Sequence, residues 1–476
     1  MNQCYKMTFS LLLLVFSQYG YSQKKSKSII LSEEALKTSL EYKSIDEALS
    51  NKKKAFILNL EHQKLTSIPK EIEKLQNLQI LKLGYNQLDS IPKFIFRLSN
   101  LQKLYLNDNK LTSLPNDIGN LIYLKELKLQ ENILSSISPE IGKLVNLETL
   151  SCGENQLTQI PATIGNCAAL ENLDFFNNKL ESVSASLGKC TRLKILDLNW
   201  NQIGILPNEI CQLNNLETLH LEKNKIQYLP KEFGNMTKLI DLQINENQLI
   251  ELPESFGKLS GLTELSLRKN NLKRLPLSIG GLINVKILDA SQNQLESIPE
   301  SIRNMQKLEE IYLNDNKLTE IKGEPFNVPL LRILDLSLNK INRFECNINN
   351  CKQLDSISFE MNKLTKFPVC VTNVTSIKLL NLNENKLKDV PKSIIKLEHI
   401  KELSLKQNEI VTLPLNLFQL NELEILDLSQ NKLQNIPSNL NQAKSLKQLD
   451  LRGNLFNKTL VKQIKVKLTI PQLFVD

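Results

Sequence analysis

Residues Leu101–Tyr123 read LQKLYLNDNKLTSLPNDIGNLIY, and the same spacing of Leu, Asn, Pro, Ile and Gly returns at Leu124 and again at Leu147. Written as a unit of 23 residues, the pattern is L-x-x-L-x-L-x-x-N-x-L-x-x-L-P-x-x-I-G-x-L-x-x. Units begin at 55, 78, 101 and every 23 residues on to 446, eighteen in all, with no insertion or deletion. A fixed period of this length marks a repeat architecture. One coil cannot bury its own leucines, and only its neighbours can do so.

Each position in the unit has a physical reading. Positions 4 and 6, Leu104 and Leu106 in the quoted unit, alternate with polar neighbours and predict a short strand with one buried face. Stacked units pair these strands into a parallel sheet, and the rest of each unit supplies the crossover that parallel strands require. Positions 11, 14, 18 and 21 are apolar and point into the same core. Asn fills position 9 in seventeen units, from Asn86 to Asn454, and Gln63 stands there in the first. An amide both donates to and accepts from turn backbone, so a column of them is expected to do structural work. Pro at position 15, as at Pro115 and Pro230, occurs thirteen times and favours an extended chain after the turn. The expected fold is an α/β solenoid of about eighteen coils: a concave parallel sheet with short 3₁₀ or extended convex crossovers.

One stretch departs from the rule. Lys322 and Glu345 replace the proline, and Gly323–Pro329 (GEPFNVP) forms a different crossover after Ile321. Drift in a tolerant loop, a change of curvature and a second binding ledge all fit that sequence.

The ends differ from the repeats. Lys6 followed by the apolar run Met7–Phe16 and the small residues Gly20 and Ser22 has the pattern of a secretory leader, too short to span a bilayer. The expected organisation is a leader over 1–22, a helical cap over 23–54, repeats over 55–453 and a closing cap over 454–476. Ser32 and Ser44, each followed by acids, read as helix N-caps. Asn457–Lys467 has helical periodicity, and Leu473-Phe474-Val475 suits a last strand. Seven cysteines follow the leader, a number that does not fit an even-numbered disulfide framework. Cys167 and Cys190 hold the same core slot in consecutive coils, within disulfide reach of each other.

This unit, with its LPxxIGxL crossover, resembles the leucine-rich-repeat superfamily and within it the Ras-group-related subclass, in an exported bacterial form. The resemblance covers residues 55–454 and implies a curved solenoid whose concave sheet binds other proteins. It also implies an alternative, an intracellular signalling scaffold for a Ras-type small GTPase, which the leader argues against.

The rest of the sequence points to binding rather than chemistry. The charge of +8 arises from 59 Lys+Arg and 51 Asp+Glu spread through every unit, which does not mark a nucleic-acid binder. His62, His220 and His399 lie far apart, and no metal-ligand spacing, phosphate loop or nucleophile elbow occurs. We therefore expect no enzyme activity, cofactor, metal or small-molecule substrate, and no membrane span. The expected role is an exported scaffold recognising a protein through its concave surface. Candidate contacts are the residues too costly to expose without use. Phe176, Trp200 (the single Trp) and His220 fall on three consecutive units, with Asp174, Asp197 and Glu222 alongside. Tyr85 and Tyr105 form a smaller N-terminal group, and Arg268 and Tyr312 are isolated candidates.

Overall fold

The computed structural model describes residues 30–468 and 470–476, so the leader pattern over 1–22 lies outside the described residues. Within them, one 20-stranded parallel sheet runs the length of the molecule. Its strands are positions 3 to 5 of each unit, paired without slippage: Leu81 faces Leu104, Leu104 faces Leu127 and Leu127 faces Leu150. The quoted unit shows why the register is fixed. Leu101, Leu104, Leu106, Leu111, Ile118 and Leu121 are fully buried, and Leu114 nearly so. A one-residue slip of the strand would turn Leu104 from the core to the solvent face.

The asparagine column closes the turn after each strand. Asn132 Nδ2 donates to the carbonyls of Leu129 and Gln130 in its own coil and of Leu106 in the preceding coil, at 3.0, 3.3 and 2.9 Å. Its Oδ1 accepts from Leu111 N–H of the preceding coil at 2.9 Å. Every Asn of the column thus ties its own turn to the coil before it. The first unit has only the cap before it. There the longer Gln63 reaches back with its Nε2 to the Lys43 carbonyl, 3.0 Å away.

Proline opens the convex turns. Pro115 has φ −62° and ψ 149°, and its carbonyl accepts from Ile118 N–H to start the 3₁₀ helix Asn116–Asn120. Ser138 and Ser184 replace proline in two units, and there the hydroxyl accepts from the N–H two residues on. Where Lys322 and Glu345 stand, the 3₁₀ helix is lost. Glu320–Gly323 and Arg343–Cys346 pair instead as a two-stranded parallel sheet. Proline has no N–H to give a ladder. A single bridge elsewhere, Asp389↔Thr412, lies two residues before Pro391 and Pro414 and shows how a convex pairing stops just short of proline.

The N-terminal helices α1 (Glu33–Lys37) and α2 (Ile45–Ser50) are capped by Ser32 and Ser44. Between them Glu41–Tyr42 adds a strand that the sequence reading lacked, paired with Ile57–Leu58. Helix α3 (Lys458–Lys467), capped by Asn457, leads to a final strand, Gln472–Phe474, paired with Gln448–Asp450. All seven cysteines among the described residues are free. Cys167 and Cys190 do not bridge, because each thiol donates across the stack to a main-chain carbonyl: Ile141 at 3.2 Å and Ile164 at 3.4 Å. Burial pushes these thiols up to about 12 and about 11, which keeps them in the unreactive protonated form.

One local conformation was hidden from the sequence. Position 8 lies in the left-handed region in every coil, with φ from 49° at Asn177 to 67° at Gly453, the only glycine there. Its N–H and the next one donate to carbonyls of the following coil, as in Trp200 to Glu222 and Asn178 to Trp200. The ladder therefore imposes a backbone that L-residues adopt at a cost of roughly 1–2 kcal/mol. Gln407, with φ 55° and only main-chain bonds, is a clean place to test this. Gln407→Gly should raise stability by about 1 kcal/mol in urea unfolding. A loss of stability would show that position 8 carries no strain.

Candidate functional site: a polar and aromatic patch on the concave face

The strands Asn172–Asp174, Ile195–Asp197, Thr218–His220 and Asp241–Gln243 are consecutive in the sheet. At position 5 this register lays Asp174 beside Asp197, and Asp197 beside His220. The side chains of positions 3 and 5 stand on the concave face because position 4 is in the core. The six residues expected to cluster here are brought together on three adjacent coils.

His220 is the centre of the patch. Its Nδ1 lies 3.2 Å from Asp197 Oδ2 and its Nε2 2.8 Å from Asp241 Oδ2. The hydrogen bond to Asp197, helped by that to Asp241 and opposed by burial, raises the imidazole to about 9. At neutral pH it is an imidazolium donating to both carboxylates. Asp197 Oδ1 also accepts from Asn199 N–H at 2.9 Å, and Asp174 Oδ1 accepts from Phe176 N–H at the same distance. Burial holds the Asp174 carboxyl above its usual range despite that bond, and Asp197 and Glu154 push in the same direction.

The aromatic part sits at the turn after the strands. Phe176 and Trp200 meet edge to face, with ring centroids 6.3 Å apart and planes at 61°. Lys223, the next residue in the position-8 column, holds its Nζ 3.5 Å from the Trp200 ring centroid. Trp200 remains 45% exposed even so. Glu222 lies on the same turn, its carboxylate 3.9 Å from Lys223 and its N–H donated to Asn199 Oδ1.

The other candidates are dispersed. Tyr85 stacks on His62 at 4.4 Å, whereas Tyr105 lies under Lys128, so the two tyrosines engage different neighbours. Arg268 donates to Gln292, and Tyr312 donates to Glu310 at 2.7 Å. The irregular crossovers border a cleft of about 780 Å³, lined in part by Arg343, Phe344, Cys346, Phe367 and Cys370. It opens off the second sheet rather than the concave one.

Sequence reasoning missed Lys223 and Asp241. The signal was present for both: Lys223 is one unit on from Trp200, and Asp241 is at position 3 of the unit after His220. Finding them required treating each column as a line of neighbours. Among the described residues no group of three or more His, Cys, Asp or Glu is arranged to hold a metal ion, and no helix is long and apolar enough to cross a membrane.

The stacked units match family models described as leucine-rich repeat region, over 56–132, 104–203 and 173–267, and as leucine rich repeat, over 260–318, 375–433 and 398–456. A leucine-rich-repeat protein of Leptospira interrogans is 32% identical, with a TM-score of 0.56 over 92% of this chain and 100% of that one. The chain belongs to the leucine-rich-repeat family. A plant peptide hormone receptor, RGFR1, in complex with RGF2 is 25% identical, with a TM-score of 0.50 over 92% of this chain and 85% of that one. The Arabidopsis receptor kinase HAESA shares the fold at 24% identity and a TM-score of 0.63, over 92% of this chain and 81% of that one. No curated protein matches the chain. Leucine-rich-repeat proteins are generally non-catalytic interaction scaffolds, and this chain has that architecture.

The His220 bracket makes a pH prediction. Its folded pKa of about 9 lies above the ordinary 6.5, so its stabilisation is complete below about pH 6.5 and is lost as pH rises through about 9. The stability gap between the native chain and His220→Gln should close across that window. A gap that does not change with pH would contradict the charged bracket.

Proposed function

We propose that this protein is an exported, non-catalytic scaffold that recognises a protein partner through its concave face, with Phe176, Trp200 and His220 at the centre of contact. Asp174, Asp197 and Glu222 surround them, and Tyr85, Tyr105, Arg268 and Tyr312 make outlying contacts. The observation that carries this reading is Trp200 itself. It is the only tryptophan in the chain, nearly half exposed, flanked by Phe176 and capped by Lys223. Exposed aromatics ringed by charge are the usual make-up of an interface hot spot.

Two findings support the wider reading. The similar RGFR1 is a peptide hormone receptor solved with RGF2. The 32%-identical Leptospira protein agrees with a bacterial member of the family. Export rests on the leader pattern of residues 1–22, and the proposal keeps the organisation of a cap over 23–54, repeats over 55–453 and a closing cap over 454–476. The LPxxIGxL crossover is the basis for placing the chain in the Ras-group-related subclass. The Ras-type GTPase alternative finds no support among the similar structures.

A photo-crosslinking residue at Trp200 should trap a protein partner in source cells, and one at the exposed convex Leu415 should not. Trp200→Ala with Phe176→Ala should then weaken that partner's binding by about tenfold or more, as hot-spot residues do. Adducts formed only from position 415, or unchanged affinity in the double variant, would overturn the proposal.

A further inference from the structure

The concave strands change sign along the solenoid. In the first coils the strand cations are neutralised: Lys82 pairs with Glu41 at 3.0 Å, and Glu126 takes Lys103 at 2.9 Å and Lys128 at 3.3 Å. From Asn172 to Asp450, positions 3 and 5 hold ten carboxylates and no Lys or Arg. His220 pairs with both Asp197 and Asp241, and Arg452 pairs with Asp450. Asp174, Glu264, Asp289, Asp335, Glu402 and Asp427 make no ion pair among the described residues. The flank of the same coils behaves differently. There each position-2 acid named here meets a lysine of the next coil: Glu171 with Lys194 at 2.8 Å, Asp355 with Lys378 at 2.8 Å and Glu424 with Lys447 at 2.6 Å. The concave face is thus an acidic strip with uncompensated charge, on a chain whose net charge is +8.

The strip twice sets carboxylates on either side of a ring. Asp197 and Asp241, two coils apart, hold the cationic ring of His220 between them. Asp289, Tyr312 and Asp335 likewise stand on three neighbouring strands, all at position 5 in direct register, whereas Asp241 reaches His220 from position 3. The middle residue there is an aromatic ring rather than a cation, and its hydroxyl is turned to Glu310 at 2.7 Å. Two carboxylates flanking a tyrosine ring suit an incoming ammonium or guanidinium, which gains from both the charges and the π face.

We infer that the acidic stretch of the concave sheet binds an extended, Lys- or Arg-rich segment of the partner protein, with one of its cations seated over Tyr312 between Asp289 and Asp335. This rests on the concave-face reading above and adds the chemistry of the partner. Strands lie about 4.8 Å apart, so carboxylates two coils apart are about 10 Å apart, which is three residues of extended chain at about 3.3 Å each. A segment running along the solenoid with cations three residues apart therefore matches the Asp289–Asp335 pair. The same negative field repels phosphate backbones, so a nucleic acid is not the occupant.

The test uses the full chain and short labelled peptides of three kinds: Arg at every third position among Gly and Ser, the same peptide with Gln for Arg, and one with Glu. The Arg peptide should bind, and its affinity should fall as salt rises. The Gln and Glu peptides should not bind. Asp289→Asn with Asp335→Asn should weaken the Arg peptide by about tenfold. These changes leave the turn intact, because Asn59 and Asn381 already accept the same N–H bond that Asp289 and Asp335 accept. Asp355→Asn on the flank should have no effect. Equal binding of the Gln peptide, unchanged affinity in the double variant, or tighter binding of a single-stranded oligonucleotide would each overturn the inference. If crosslinked partner binding still depends on Trp200 and Phe176 while the Arg peptide fails to bind, the cationic partner is wrong and the concave-face reading stands.

Discussion

The structure depends on a column of buried amides. At the end of each strand three main-chain carbonyls and one N–H converge in a dry core; the carbonyls also accept from neighbouring amides or N–H groups, whereas the N–H has no other acceptor among the described residues. Leaving a buried polar group unsatisfied costs about 1–3 kcal/mol each. Asn247 meets all four, with its Nδ2 on Leu221, Ile244 and Asn245 and its Oδ1 on Ile226 N–H. Two of those partners belong to the preceding coil, so the bond set that closes one turn also fastens the stack. The leucines supply the driving force and already disfavour a slipped strand. The amides accept only one register.

Other features follow from that constraint. The ladder running through the turn leaves position 8 left-handed in every coil and projects its side chain away from the core. That gives the protein a row of rungs whose identity the core does not dictate, and Tyr85, Trp200 and Lys223 occupy three of them. Position 5 is partly constrained, because its side chain accepts the N–H of position 7. Either Asn or Asp does that, so the choice of Asp at 289, 335 and 427 is not demanded by the turn. The charge of the concave strip is therefore free to reflect what binds there.

Much of this was legible in the sequence. The core positions, the amide column and the proline-led convex turns follow from period and residue type alone, as Leu104, Asn132 and Pro115 illustrate. The clustering of Phe176, Trp200 and His220 followed from counting positions within the unit. What escaped were contacts between coils with no residue-type signature. Buried Gln79 and Gln102 pin the main chain of Leu31, which only the folded N-terminus reveals. The left-handed turn was invisible because its residues are Glu, Lys, Gln and Asp rather than Gly. The second sheet at Glu320–Gly323 could be foreseen as irregular, but not as a strand, because its partner is another irregular crossover.

Hydrogen exchange at two amides in Asn247→Ala tests the amide column most directly. Ile226 N–H, in the coil before, donates to Asn247 Oδ1, whereas Leu249 N–H, in the same coil as the substitution, donates to Asn270 Oδ1. Exchange at Ile226 should accelerate strongly while Leu249 keeps its protection. Equal acceleration at both, or acceleration at Leu249 alone, would contradict the claim that each asparagine fastens its coil to the one before it.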